Sequence, residues 1–312
     1  MEYFSPPGSR VRWSRIAMGC WQIAPSDGWG KGPPPEQAER AVKQALDAGI
    51  TTFDTAEGYG EGESERRLGR ALGAQKNDVA IISKIWPDAD LTLKAFQARL
   101  ERTLANLGRD YVDLYLFHFP GGRLSGPKEN EVFCGIMAKL KESGKARRVG
   151  LSNFGASDLR KLNAPKDLFS FNEVCYNLLE REYEGENLAS NRAHGLGYLA
   201  YSPLAQGLLT GRFTKTSQVT GPTRKRSELY REPKFSKALK VVDALREVAG
   251  EAGATVTQAA LAWVLAQPNI AFAIAGSYKP EQIKEFAAAG GVKLTPIQLE
   301  KLTKASDRFS KA

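Results

Sequence analysis

Eight short apolar runs, separated by segments of helical periodicity, constrain this chain more than any other feature. The runs fall at residues 16–21, 51–55, 79–84, 111–118, 148–153, 169–176, 197–202 and 270–276. Helical patterns occupy 35–48, 64–72, 93–107, 131–143, 156–162, 186–193 and 255–266. Pro35 and Pro280 suit first helical turns, and Gly49, Gly108, Gly144 and Gly195 suit helix ends. Apolar runs alternating with helices require a parallel sheet covered on both faces. Eight repeats predict closure into an α/β (β/α)8 TIM barrel. The rival, a doubly wound open sheet, announces itself by a Gly-rich phosphate turn after its first strand. Here that turn reads W-Q-I-A-P-S-D-G-W-G, without the G-x-G-x-x-G spacing. No linker interrupts the 312 residues, so 1–312 reads as a single domain. Two extra helices, at 235–251 and 295–306, break the strict alternation. A basic loop follows the seventh run, with seven Lys/Arg from Arg212 to Lys234 against Glu228 and Glu232.

Composition narrows the class. No apolar run reaches the roughly eighteen residues of a membrane span, and residues 1–11 lack the apolar middle of a secretory signal. Three scattered cysteines, Cys20, Cys134 and Cys175, fit a reducing compartment better than a disulfide framework, so a cytoplasmic location is expected. Two histidines and no Cys/His cluster argue against a metal site. The net charge of +9 comes without a stacking platform or a basic recognition motif, which argues against nucleic acid. Much of the surplus sits in the 212–234 loop, either a solvated surface segment or a basic flap near a phosphorylated ligand.

Three consecutive runs end on polar residues. Asp54 ends F-D, Lys84 closes V-A-I-I-S-K and His118 closes Y-V-D-L-Y-L-F-H, while Tyr59 follows Asp54 in a Gly-flanked turn. In a barrel of this kind, residues at strand C-termini gather on one face. Singly, each has an ordinary reading: a turn cap, a packed aromatic, a solvated lysine, a core histidine. Together, within F-D-T-A-E-G-Y-G-E-G-E-S-E-R-R-L-G and the two runs that follow, they resemble the catalytic tetrad of the aldo-keto reductases. That resemblance extends over nearly the whole chain.

The resemblance implies carbonyl reduction by hydride transfer, with Tyr59 as general acid. A free phenol has a pKa of about 10; a neighbouring Lys84 ammonium is expected to lower it, Asp54 to hold Lys84, and His118 to position the substrate oxygen. It also implies NADPH/NADP+ as cofactor, with NADH less favoured. Ser152 and Asn153 of G-L-S-N-F would hold the carboxamide, and Tyr201 would stack on the nicotinamide. Ser202, Leu204, Gln206 and Gly207 of Y-S-P-L-A-Q-G would line the pyrophosphate. Gly276, Ser277, Lys279 and Gln282 fall at the adenosine end, with Trp21 and Asp54 also beside the cofactor. Two departures from the family pattern stand out. Tyr278 and Phe286 replace the usual Arg and Asn, and Glu173 replaces a Gln at the carboxamide. An ionised Glu173 would accept from the carboxamide but not donate, and would favour oxidised cofactor; the other reading pairs it with Lys or Arg.

Trp21, Trp29, Trp86 and Phe119 are the expected apolar substrate wall, with residues 124–131 as a further side. The expected partner is a small-molecule carbonyl compound, with no nucleic acid or membrane, in a monomer or weak homo-oligomer. The alternative from another class is a cofactor-binding regulatory subunit of the same fold with little turnover, such as a potassium-channel β subunit. An unrelated barrel hydrolase would need a carboxylate pair or metal cluster at strand ends, and the sequence offers neither.

Overall fold

In the computed structural model, which describes residues 1–27, 30–121 and 124–310, eight parallel strands close into a barrel. They are β1 (Ile16–Gly19), β2 (Thr52–Asp54), β3 (Ala80–Ile85), β4 (Leu114–Phe117), β5 (Val149–Ser152), β6 (Phe169–Cys175), β7 (Gly197–Tyr201) and β8 (Ile270–Gly276). Each pairs with its successor, and β8 closes on β1 with Gly276 beside Gly19. The outer ring holds α1 (Pro35–Asp47), α2 (Glu63–Leu72), α3 (Leu93–Leu107), α4 (Pro127–Glu142), α5 (Ala156–Leu162) and α6 (Glu186–Ala193). A short α7 (Pro222–Arg226) lies in the basic loop, followed by α8 (Lys234–Glu251), α9 (Val256–Ala266), α10 (Pro280–Ala289) and α11 (Pro296–Ser310). The two added helices, α8 and α11, pack on each other.

Local chemistry explains the boundaries. Thr92 caps α3 by accepting from Ala95 N, and Thr255 with Gln258 forms a capping box on α9. Pro127 at the first turn starts α4 four residues before the apolar pattern at 131 suggests. β4 is shorter than its apolar run because Val112 makes only an isolated bridge to Ala146.

The core has two compartments. Helix–barrel packing forms the larger one, and the barrel lumen is filled by Ala17, Ala80, Ile82, Leu114, Leu116, Phe171, Leu199, Phe272 and Ile274. An antiparallel hairpin of Tyr3–Phe4 with Trp13–Ser14 plugs the lumen's lower end. Trp13 is fully buried, 5.9 Å from the Phe171 ring and 6.1 Å from Phe272, and its indole N–H donates to Ser9 Oγ. The sequence periodicity gave no sign of this plug.

One contact fixes the α2–α3 spacing. A Cβ on Gly69 would lie 2.5 Å from the Leu107 carbonyl oxygen, a backbone atom that cannot turn aside. Gly69→Ala is therefore expected to lower stability by about 1–3 kcal/mol, read as a lower urea midpoint with an unchanged slope; an unshifted midpoint would show that the two helices separate freely.

Candidate active site

Asp54 is the last residue of β2, Lys84 the penultimate residue of β3, and His118 follows β4. Tyr59 sits in the turn above β2, its N–H donating to the Ala56 carbonyl at 3.1 Å. All four side chains meet at the C-terminal mouth of the barrel. Lys84 is fully buried, and its Nζ lies 2.7 Å from both Asp54 carboxylate oxygens. The same nitrogen donates to the Thr55 carbonyl at 3.0 Å and reaches the Tyr59 hydroxyl at 3.4 Å. Glu173 Oε1, brought across from β6, is also 3.4 Å from Nζ. One buried ammonium thus joins two carboxyls and a phenol.

The electrostatics depart from the sequence expectation for Tyr59, and for Glu173 they select the reading that pairs it with a basic residue, here Lys84. Burial pushes the Tyr59 phenol above its usual range, and the Lys84 charge, which opposes this, does not outweigh it. Tyr59 therefore keeps its proton. Glu173 is not a free carboxylate: burial and the neighbouring Asp54 charge raise it well above the usual range. Burial opposes the Lys84 charge, yet the adjacent Asp54 carboxylate holds that ammonium above its usual range. His118, packed beneath Trp86 and Phe119, is lowered to about 2 by burial and then by the Lys84 charge, so it is a neutral imidazole. In that form it carries one N–H donor and one acceptor.

These residues floor a cleft of about 830 Å³. Its aromatic side runs Trp21, Tyr59, Trp86, His118, Phe119: Trp21 stacks on Tyr59 at 5.9 Å, and Trp86 meets Phe119 edge-on at 5.4 Å. Trp86 and Phe119 are 41% and 37% exposed, and they form an apolar lip on the opening. Trp29 lies outside the described residues. The expected wall at 124–131 is not part of this cleft: Leu124 packs on the core, and Pro127 already begins α4.

The other side of the cleft gathers residues from β5 to β8. Ser152, Asn153, Glu173, Tyr201, Ser202, Leu204, Gln206, Gly207, Gly276, Ser277, Lys279 and Gln282 all line it. Asn153 Nδ2 donates to the His118 carbonyl and to Ser152 Oγ, and its Oδ1 accepts from the Tyr201 hydroxyl at 2.9 Å. After β7 the backbone turns left-handed at Ser202, Ala205, Gln206 and Gly207, where φ is 50°, 47°, 52° and 97°. Such strain in non-glycine residues collects at ligand sites. Gln206 Oε1, Glu173 Oε2 and His118 Nδ1 are buried here without a protein hydrogen-bond partner among the described residues.

The basic loop proves to be a wall of this cleft. Arg212, Phe213, Thr223 and Arg224 line it, Arg212 while itself exposed and 3.9 Å from the Glu285 carboxylate, whereas Lys215, Lys225, Arg226, Arg231 and Lys234 are exposed and lie outside its lining. Arg224 Nε donates to the Gln206 carbonyl at 2.9 Å, which ties the loop to the left-handed turn. With the Gln282 amide oriented so that both of its ends are satisfied, Arg212 Nη2 donates to the amide oxygen at 3.2 Å and the amide nitrogen donates to Ser277 Oγ at 2.7 Å. A cation thus stands above the start of α10, although Tyr278 and Phe286 occupy the positions of the usual polar pair. Charge density alone could have flagged the loop in the sequence, but not which of its arginines turns inward.

A closed parallel barrel carrying a buried Asp–Lys pair under a cleft-facing tyrosine and a neutral histidine defines a class of barrel oxidoreductases. The chain belongs to the aldo/keto reductase family, whose model matches residues 15–307. The aldo-keto reductase YhdN of Bacillus subtilis is 32% identical over 302 residues, spanning 93% of this chain and 89% of that protein. A glycerol dehydrogenase from Gluconobacter oxydans has a similar structure, with a TM-score of 0.86 at 27% identity over 99% of this chain and 96% of that one. An aldo-keto reductase from Klebsiella pneumoniae, solved in complex with NADPH, gives 0.75 at 27% identity, over 97% and 95% of the two chains. Among the described residues, no helix is long and apolar enough to cross a membrane.

Proposed function

We propose that this protein, acting as one barrel domain, reduces an aldehyde or ketone to the alcohol with NADPH as hydride donor. The observation that carries the reading is the contact of Lys84 with both Asp54 and Tyr59 on the floor of the aromatic-lipped cleft. The cleft suits a dinucleotide on its β5–β8 side. Buried unpartnered polar atoms line that side, its loop after β7 is left-handed, and a helix N-terminus with Arg212 beside it offers a phosphate site. Ser152, Asn153 and Tyr201 would hold the nicotinamide end, and Ser277, Lys279, Gln282 and Arg212 the adenosine end. When bound, that group supplies the hydride.

The chain's own residues do the rest. Tyr59 presents a protonated hydroxyl to the carbonyl oxygen and releases that proton as negative charge develops there. Lys84, held charged by Asp54, stabilises the phenolate that forms. The neutral His118 donates its N–H to the same oxygen and fixes its direction. Trp21, Trp86 and Phe119 pack against the apolar body of the substrate and exclude water. Turnover of a panel of aldehydes, ketones and sugars with each dinucleotide tests the reading. Binding of NADPH without turnover of any of them would favour a regulatory subunit of the same fold.

NADPH should also bind more tightly than NADH. Arg212→Ala is expected to weaken NADPH on the order of fivefold, about 1 kcal/mol, and to leave NADH unchanged. Added salt should narrow the gap between the two cofactors in wild type. Quenching of tryptophan fluorescence reads all four constants; equal affinities at low salt would remove Arg212 and Lys279 as phosphate ligands.

A further inference from the structure

Glu173 stands where three observations meet. Its side chain is buried at the cleft floor, its Oε1 is 3.4 Å from Lys84 Nζ, and its Oε2 has no hydrogen-bond partner among the described residues. Its carboxyl and that of Asp54 both reach the one Lys84 ammonium. A single ammonium cannot balance two buried carboxylates, so one of the two keeps a proton. Asp54 takes two contacts from Lys84 at 2.7 Å and Glu173 a single one at 3.4 Å, so the ammonium neutralises Asp54 and the proton belongs to Glu173. The titratable groups facing Glu173 are Asp54 from β2, Tyr59 from the turn above it, Lys84 from β3 and Tyr201 from β7; β5 presents only Ser152 beside it. The cluster of Lys84, Asp54 and Glu173 is thereby neutral overall.

We propose that Glu173 is a positioning residue that acts through Lys84 as the proton store of the site: it is a carboxylic acid before carbonyl reduction and a carboxylate after it. The proposal rests on the carbonyl-reductase reading above. Its geometry is the pair of equal 3.4 Å contacts that Lys84 Nζ makes, one to the Tyr59 hydroxyl and one to Glu173. In the reduction, the carbonyl carbon gains the hydride and the Tyr59 O–H proton passes to the carbonyl oxygen. The phenolate then takes a proton from Lys84, and the Lys84 amine takes one from Glu173. The carbonyl compound is reduced, the dihydronicotinamide that gave the hydride is oxidised, and the only proton lost by the protein is that of Glu173. One negative charge appears on the cleft floor as one positive charge appears in the cleft. Reprotonation of Glu173 from solvent resets the site when the oxidised dinucleotide leaves. A Gln at this position has no proton to give, so the device belongs to this chain's departure from the family pattern.

Two measurements on wild type and Glu173→Gln test this. The first needs no dinucleotide: the infrared difference spectrum of the two proteins at neutral pH should contain the carbonyl stretch of a protonated carboxylic acid. A carboxylate band alone would overturn the proposal whatever the protein's activity. The second is calorimetric titration with NADP+ and NADPH in buffers of different ionisation enthalpy. Wild type should release about one proton per site on binding NADP+ and none on binding NADPH. Its NADP+ affinity should rise up to about tenfold per pH unit, with NADPH flat. The Gln variant should release no proton with either and show no pH dependence. Equal release in wild type and variant, or none in wild type while both dinucleotides bind, would overturn the proposal. If neither dinucleotide binds, the carbonyl-reductase reading fails and the relay fails with it, while the infrared result still reports the protonation of Glu173.

Discussion

Tyr59→Phe is expected to lower carbonyl reduction by about 10² to 10⁴ while leaving dinucleotide affinity nearly unchanged. The substitution removes one hydroxyl. The ring still stacks on Trp21 and faces the edge of His118, so the cleft keeps its shape. What disappears is the cleft-facing hydroxyl that Lys84 reaches at 3.4 Å, the group placed to give a proton to the carbonyl oxygen. Because burial keeps this phenol protonated, the wild-type rate should not fall through neutral pH for want of the acid form. Single-turnover kinetics with saturating NADPH isolates the chemical step. Wild-type rates in the Phe variant would remove Tyr59 from proton transfer.

Lys84→Met should cost stability as well as activity. Taking away one partner of a buried ion pair typically costs about 3–5 kcal/mol, because the other charge is left in a poorly solvated site. Here the stranded group is Asp54, with 3% of its surface exposed and the Glu173 carboxyl beside it. Without the ammonium its carboxyl rises further above its unfolded value. A carboxyl raised in the folded state is fully stabilising only below its unfolded pKa, and that stability is lost as pH rises through the folded value. The Met variant should therefore be weakest in alkaline buffer and recover in mild acid. Asp54→Asn combined with Lys84→Met should regain much of the loss at all pH values. Urea denaturation across pH checks both; a Met variant as stable as wild type and insensitive to pH would mean that water reaches Asp54.

Much of the barrel was legible because parallel strands buried on both faces must be apolar throughout. The run 270–276 and the helices Leu93–Leu107, Ala156–Leu162 and Glu186–Ala193 coincide with the elements found. The positions of Asp54, Lys84 and His118 followed from the rule that strands deliver side chains at their ends. What stayed hidden has physical causes. Strands of two residues, such as Tyr3–Phe4, carry no periodicity. The direction of the Tyr59 shift was misjudged because the Lys84 charge could be read from the motif and the depth of burial could not. The Glu173 proton depends on Asp54, 119 residues earlier in the chain and met only across the closed barrel. Arg212 reaches Gln282 because its loop folds back over the mouth, which no local pattern encodes.

The lower plug has a consequence for how the chain is made. Arg15, just after the plug, donates through its guanidinium to the carbonyls of Ala271, Leu265 and Ile270, and the Glu2 N–H donates to the Gly290 carbonyl. The first of these bonds joins residues 256 positions apart. At ordinary translation speeds of about 5–20 residues per second, Arg15 leaves the peptidyl-transferase centre roughly 13–50 s before its partner is synthesised. Through that interval Phe4 and Trp13 have no Phe272 to meet, and the edge of β1 has no β8 beside it. The nascent chain thus carries an unclosed seam with two aromatic rings at its rim, and the ribosome must finish β8 before the barrel can become a ring.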